Sequence, residues 1–277
     1  MNYAQLFAEY EERLEMLGEE AEALSFTFRG LKGLNLTDFL LTLRKEVTKE
    51  DQDLIATIFQ NLSQHIPAQY IIGHTLFHGL KLEVNPHVLI PRPETEELVE
   101  LILKENKDAH LRVLDIGTGS GAIALALAQA RPDWQLTALD ISPEALAVAK
   151  RNAQANHLTV NFQESDVLEQ VMGTYDIIVS NPPYISKKDT NEVGLNVLHS
   201  EPHLALFAAE DGLAIYRKIA EQAGDYLTPG GKIYLEIGYK QGQAVSELFQ
   251  QQFPEKRVRI IQDAFSKDRK AVVDDAN

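Results

Sequence analysis

Residues 111–116, Leu-Arg-Val-Leu-Asp-Ile, run directly into Gly117-Thr118-Gly119-Ser120-Gly121 and then into an alanine-rich stretch. A short apolar run, a cluster of glycines and a helical run read as a buried parallel strand, a tight turn and a packed helix. The alternation continues to the end of the chain. Gln135–Asp140 reads as a second strand, and Ser142-Pro143-Glu144 opens its helix, with serine at the cap and proline in the first turn. Residues 160–166 read as a third strand, and a fourth ends in Asn181. A helix near residues 212–226 leads through Pro229-Gly230-Gly231 to a fifth strand at 232–237, and residues 257–262 and 270–274 supply the last two. Strands alternating with helices from residue 110 onward predict an α/β domain: a mostly parallel sheet covered by helices on both faces.

Two segments precede it. Residues 1–66 read as a small helical bundle, a docking lobe beside the larger domain. Leu6, Phe7, Tyr10, Leu14 and Leu17 share one face of its first helix, Gly30 and Gly33 interrupt the pattern, Thr37-Asp38 opens a second helix, and Thr48 with Asp51 caps a third. Residues 67–93 read as a hairpin and a proline-rich linker. Tyr70-Ile71-Ile72-Gly73, residues 76–80 and Leu82-Glu83-Val84 have the composition of short strands. Pro91-Arg92-Pro93 reads either as a stiff spacer or as a segment whose polar residues line the cleft that it borders. A helix from Glu94 to Lys104 then begins the 94–277 domain.

Composition excludes several classes. A chain of 277 residues is long enough for one large domain or two smaller ones. It has no cysteine, so disulfide scaffolds and thiolate metal sites are out. His65, His74, His78 and His87 cluster in sequence, but His74 and His78 fall in a hairpin pattern without an acidic third ligand, so no metal is expected. The glutamate-rich N-terminus lacks the basic and apolar regions of a signal peptide, and no apolar stretch reaches transmembrane length. A cytoplasmic monomer is expected. The formal net charge of -15 and the absence of a dense basic tract argue against binding nucleic acid directly.

Chemistry concentrates at two strand ends. The glycine spacing Gly117-x-Gly119-x-Gly121, with Asp115 inside the strand before it, departs from the dinucleotide fingerprint, in which an acid follows about 20 residues after the glycines. Asp140, at the end of the second strand, is placed to accept hydrogen bonds from ribose hydroxyls, and Asp166, at the end of the third, stands where an adenine ring would lie. These residues together resemble the cofactor site of Rossmann-like, class I S-adenosylmethionine methyltransferases. The resemblance implies a seven-stranded sheet, S-adenosylmethionine as methyl donor with S-adenosylhomocysteine as product, and Gly117, Thr118, Gly119, Ser120, Gly121, Asp140, Val167 and Asn181 as cofactor-binding positions.

The fourth strand stops at Asn181-Pro182-Pro183-Tyr184, where two prolines forbid further ladder or helix. This resembles the motif of methyltransferases acting on planar nitrogen: adenine N6, guanine N2 or the side-chain amide of glutamine. The lone pair of such a nitrogen is delocalised. The Asn181 side-chain oxygen and the Pro182 carbonyl can accept its N–H bonds, Tyr184 can pack against the planar group, and orientation supplies most of the rate. Asn181, Pro182 and Tyr184 are the candidate catalytic residues, with Pro183 completing the substrate loop.

Further matches narrow the choice. The run from Pro67 to Gly73, the run Leu89-Ile90-Pro91-Arg92-Pro93-Glu94-Thr95-Glu96, the Asn-Pro-Pro-Tyr-Ile run, Glu201-Pro202 and Leu235-Glu236-Ile237-Gly238 together resemble the peptide chain release factor N5-glutamine methyltransferases. That likeness, over roughly residues 65 to 275, implies methylation of the glutamine in the Gly-Gly-Gln (GGQ) motif of class I peptide chain release factors. It implies contacts from Arg92 and Glu94 to the substrate loop or the cofactor, and support of the Asn-Pro-Pro-Tyr loop by Glu201. The alternative is a nucleic-acid methyltransferase acting on adenine N6 or guanine N2.

Overall fold

The computed structural model describes residues 1–276, so Asn277, the last residue of the expected 94–277 domain, lies outside the described residues. The chain forms two compact units. The first holds Met1–Thr75 with Glu192–Glu201; the second holds Leu76–Asn191 and the chain from Pro202 onward.

The first unit carries helices α1 (Tyr3–Met16), α2 (Glu22–Lys32), α3 (Leu36–Thr42), α4 (Lys49–Leu62) and α5 (Ala68–Ile72). Asn2 caps α1 in a reciprocal box with Gln5, and Thr48 caps α4 by accepting from the Asp51 N–H. The Asp51 carboxylate does not close the second half of a box: it turns inward to the Tyr3 hydroxyl and pairs with Lys32 at 2.9 Å. Leu6, Phe7, Leu14, Phe28 and Phe39 fill the core, with Phe7 edge-on to Phe28 and Phe39; Leu17, placed on the same face by its spacing, is exposed. Two further expectations fail here. Helix α2 runs straight through Gly30, because Ile72 packs where a Cβ would stand, 2.6 Å from its Cδ1. Tyr70-Ile71-Ile72-Gly73 is not a strand. It is the end of α5, closed by Gly73 at φ 82°.

The hairpin that follows pairs β1 (His74–Phe77) with β2 (Leu80–Glu83). His78 and Gly79, read as strand interior, form its two-residue turn, both with positive φ as such turns require. Then come α6 (Pro93–Glu105), β3 (Arg112–Ile116), α7 (Ala122–Ala130), β4 (Gln135–Asp140), α8 (Pro143–Ala155), β5 (Asn161–Glu164) and β6 (Tyr175–Ser180). After α9 (Leu195–Ser200), which belongs to the first unit, the chain adds α10 (His203–Leu206), the single turn α11 (Ala209–Gly212), α12 (Ala214–Gln222), β7 (Leu227–Glu236), α13 (Gly242–Gln252), β8 (Lys256–Gln262) and β9 (Asp268–Asp275).

Seven strands form one sheet in the order β5-β4-β3-β6-β7-β9-β8. The first five pair in parallel; β9 inserts antiparallel between β7 and β8. Pro229-Gly230-Gly231 lies inside β7 as a bulge, since Tyr175 pairs with Leu227 but Ile177 with Lys232. Helix α7 is buried along almost its whole length, at Ala122, Ile123, Leu125 and Leu127 among others, each large side chain contributing about 1.5–3 kcal/mol. Chain order reverses between β3 and β6: β4 lies to one side of β3, and β6 and β7 lie to the other. Ligands of open α/β sheets bind at the carboxyl ends of strands flanking such a point.

Candidate active site

The carboxyl end of β3 is built almost entirely from backbone. Gly117, Gly119 and Gly121 have φ of 70°, 56° and 85°, left-handed values that glycine adopts without the Cβ clash. A Cβ at Gly117 or Gly119 would meet no heavy atom within 4 Å, so both face open space, whereas Gly121 packs against Leu125 and Ala149. The Thr118 N–H donates to the Leu139 carbonyl of β4 at 2.8 Å, and the Gly119 N–H donates to Asp140 Oδ2 at 2.8 Å. Asp140 Oδ1 accepts from the Ser142 N–H at 2.9 Å, at the cap of α8, so one carboxylate joins the loop to the next helix. Burial pushes the Asp140 carboxyl above its ordinary value. It also pushes the fully enclosed Asp115 carboxyl up to about 7, while the Thr118 hydroxyl donates to it at 2.6 Å.

The carboxyl end of β6 is built from side chains. Ser180 donates its hydroxyl to the Ile116 carbonyl at 2.7 Å, which satisfies a strand-end acceptor of β3. The next residue, Asn181, donates from Nδ2 to Thr95 Oγ1 at 3.1 Å. Thr95, in the first turn of α6, donates its own hydroxyl to Glu236 Oε2, at the end of β7, at 2.7 Å. Glu236 is buried at 2% exposure, and the loss of solvent pushes its carboxyl up to about 7. The Tyr184 carbonyl accepts from Gln241 Nε2 at 3.0 Å, and Gly212 fits beneath it, where a Cβ would stand 2.1 Å from that oxygen. Glu210 and Asp211 precede that glycine with left-handed φ of 54° and 55°. Such a turn is sterically costly and persists because packing over-determines it.

One cavity joins the two ends. Gly117, Thr118, Gly119, Ser120 and Asp140 line it on the β3–β4 side, and Thr95, Asn181, Pro182 and Pro183 on the β6 side. Val167, buried and with φ 53°, and Asp166 form a third wall. Asp166 lies two residues beyond β5, which stops at Glu164, in a turn held by Ser165, whose N–H donates to the Asp140 carbonyl at 3.0 Å, and its carboxylate pairs with Lys218 at 2.7 Å. Arg92 also lines the cavity, donating to the Ile90 carbonyl at 2.9 Å. Gly121, Glu94 and Tyr184 stand outside the wall. The Tyr184 ring packs on the core around Tyr216 and Ile237, and burial pushes its hydroxyl up to about 12. Glu201 is buried and closes α9 in the first unit.

Sequence reasoning passed over four residues that shape the site: Thr95, Asn152, Ser180 and Glu236. Asn152, at 1% exposure on α8, donates to the Ser120 carbonyl at 2.9 Å and accepts from the Glu83 N–H at 2.6 Å, holding the glycine loop from behind. A signal was present for one of them. Glu236 sits between Leu235 and Ile237 in an apolar strand, and a carboxylate there is too costly to be idle.

The family model of the Methyltransferase small domain matches residues 94–205, and that of the PrmC N-terminal domain matches residues 5–73. Fold and cavity, with these matches, define a methyltransferase of the Rossmann-like class. The chain is 62% identical over 276 residues to the release factor glutamine methyltransferase of Streptococcus pneumoniae, spanning 99% of each. It is 53% identical over 251 residues to that of Lactococcus lactis subsp. lactis, covering 91% of this chain and 93% of the relative. A methyltransferase structure from Pyrococcus furiosus shares the fold, with a TM-score of 0.54 at 24% identity over 71% of this chain and 89% of that one. The chain belongs to the release factor glutamine methyltransferase family.

Proposed function

We propose that this protein transfers a methyl group from S-adenosylmethionine to the side-chain nitrogen of the glutamine in the GGQ motif of class I peptide chain release factors. The observation that carries the reading is that one cavity is lined both by the left-handed glycine loop and by Asn181-Pro182-Pro183. The relatives' names support glutamine and release factors as the substrate. The net charge of -15 favours a protein guest over a nucleic acid, whose phosphates would need clustered cations.

The cradle fits an adenosyl amino acid. A Cβ at Gly117 or Gly119 would project into the open space beside the loop, so only glycine lets a ligand approach the backbone there. Residues 117–120 would hold the amino-acid portion, Asp140 the ribose hydroxyls through lone pairs that its backbone bonds leave, and Val167 the flat face of the base. When bound, S-adenosylmethionine supplies an electrophilic methyl on a positively charged sulfur.

The rest is orientation by this chain. With its amide N–H given to Thr95, Asn181 presents Oδ1 as the acceptor for one N–H of the incoming glutamine amide. The Pro182 carbonyl accepts the other. Two acceptors in line fix the plane of the amide and so the direction of its lone pair. Both bonds strengthen as the nitrogen gains positive charge in the transition state, where such fixed dipoles act most. Glu236 is not the base: Thr95 stands between it and Asn181, and a methylated amide nitrogen sheds its extra proton to water without help.

The test is incubation of the purified protein with methyl-labelled S-adenosylmethionine and a class I release factor, beside the factor's Gln→Ala variant at GGQ. Label on the first and none on the second is the expected result. Equal label on both, or on neither, overturns the reading.

A further inference from the structure

We infer that Thr95 and Glu236 are positioning residues for the methyl-transfer step: their hydrogen-bond chain fixes which end of the Asn181 amide faces the substrate. The inference rests on the proposed reading of Asn181 as the acceptor for the glutamine amide.

An asparagine amide has two ends of nearly equal shape and opposite polarity, and only a network decides between them. Here the direction is set from the buried end. Glu236, when ionised, can only accept, so the Thr95 hydroxyl donates to it at 2.7 Å. Its proton thus committed, Thr95 Oγ1 has only lone pairs to offer Asn181, and it accepts from Nδ2 at 3.1 Å. The amide oxygen is thereby turned to the other side, as an acceptor. Reverse the chain and the result reverses. A protonated Glu236 can donate to Thr95, the Thr95 hydroxyl can then donate to Asn181 Oδ1, and Nδ2 swings round to meet the substrate's N–H, donor against donor.

The surroundings of Glu236 hold it near that balance. Arg269 and Lys270 of β9 favour its charge and Glu94 of α6 opposes it, while burial drives its carboxyl up to about 7. The Tyr216 hydroxyl donates to its backbone carbonyl at 2.8 Å, and the Tyr184 ring lies within its field. A raised carboxyl is ionised above its own pKa and protonated below it. Turnover therefore falls as pH drops through neutrality.

The experiment compares the wild type with Thr95→Val, Thr95→Ser and Glu236→Gln on a release factor. Thr95→Ser keeps the hydroxyl and near-normal turnover. Thr95→Val removes both the bond to the Glu236 carboxylate and the Thr95 oxygen that accepts from Asn181, and lowers kcat by about 30-fold, with KM for the release factor and S-adenosylhomocysteine affinity by calorimetry within about twofold of wild type. Glu236→Gln cannot ionise, so the acidic fall of kcat expected of the wild type near pH 7 shrinks or disappears. It also retains a partner for Thr95, which guards against a result due only to misfolding, and matching thermal melts confirm this. Equal activity of the Val and Ser variants, a loss confined to KM, or an acidic limb unchanged in Glu236→Gln would overturn the inference while leaving the proposed reaction intact. A wild type that labels no release factor overturns both.

Discussion

The two strand ends that meet in the cavity are held by opposite means. At β3 the loop is shaped by its own glycines and anchored by Leu139, Asp140 and Ser142 on the adjoining strand and helix, and from behind by Asn152 of α8, none of them more than 32 residues from its partner. At β6 the shape comes from far along the chain: Thr95 lies 86 residues before Asn181, Gln241 lies 57 after Tyr184, and Glu236 lies 141 beyond Thr95. The first end presents backbone, tolerant of what binds as long as it approaches closely. The second presents one aligned amide, whose value depends on angle. A cradle can be written locally, but an oriented acceptor needs tertiary structure on several sides.

Asn181→Ala should break that division most sharply. It removes the acceptor without touching the glycine loop, so kcat falls by about 100- to 1,000-fold, the usual cost of a fixed dipole aimed at developing charge. S-adenosylhomocysteine affinity, read by calorimetry, stays close to wild type. If turnover survives, the clamp is not what orients the substrate; if affinity falls equally, the two ends are not separate in function.

Gly119→Ala probes the other side. At φ 56° an alanine Cβ costs roughly 1–2 kcal/mol of backbone strain, and it projects into the space the ligand needs. The expected outcome is a weakening of S-adenosylhomocysteine binding by about tenfold or more, with kcat at saturating S-adenosylmethionine much less affected. A variant that binds normally would show that the loop is glycine-rich for packing alone, as Gly121 is against Leu125 and Ala149.

The same contrast explains what could be read from the sequence. The glycine loop, the Ser142-Pro143 start of α8 and the abrupt end of β6 were all legible, because each is a local rule written in adjacent residues. The Thr95–Glu236 contact was not, although both residues lie within recognisable motifs, because nothing local says that α6 and β7 converge on Asn181. The errors in the first unit have the same origin. Gly30 looked like a break but makes room for Ile72, a contact across 42 positions, and Tyr70-Ile71-Ile72 has strand-like residues held in a helical turn by what surrounds it.

Ser180→Ala offers the smallest effect and the finest discrimination. Ser180 is fully buried, its hydroxyl donates to Ile116 at 2.7 Å, and these are the residues immediately before Asn181 and Gly117. It thus ties the root of the clamp directly to the root of the cradle. Alanine fits the space but leaves the Ile116 carbonyl without that donor, a loss of about 1–3 kcal/mol in stability for an unsatisfied buried acceptor. If the ends work independently, the melting temperature falls and both kcat and S-adenosylhomocysteine affinity hold within about twofold of wild type, since each end keeps its own anchors. If instead their spacing matters to the reaction, kcat falls by clearly more than affinity, because the transferred methyl must travel from one end to the other. Melting temperature, kcat and affinity measured on the same variant therefore separate a strut that only stabilises from one that also sets the distance.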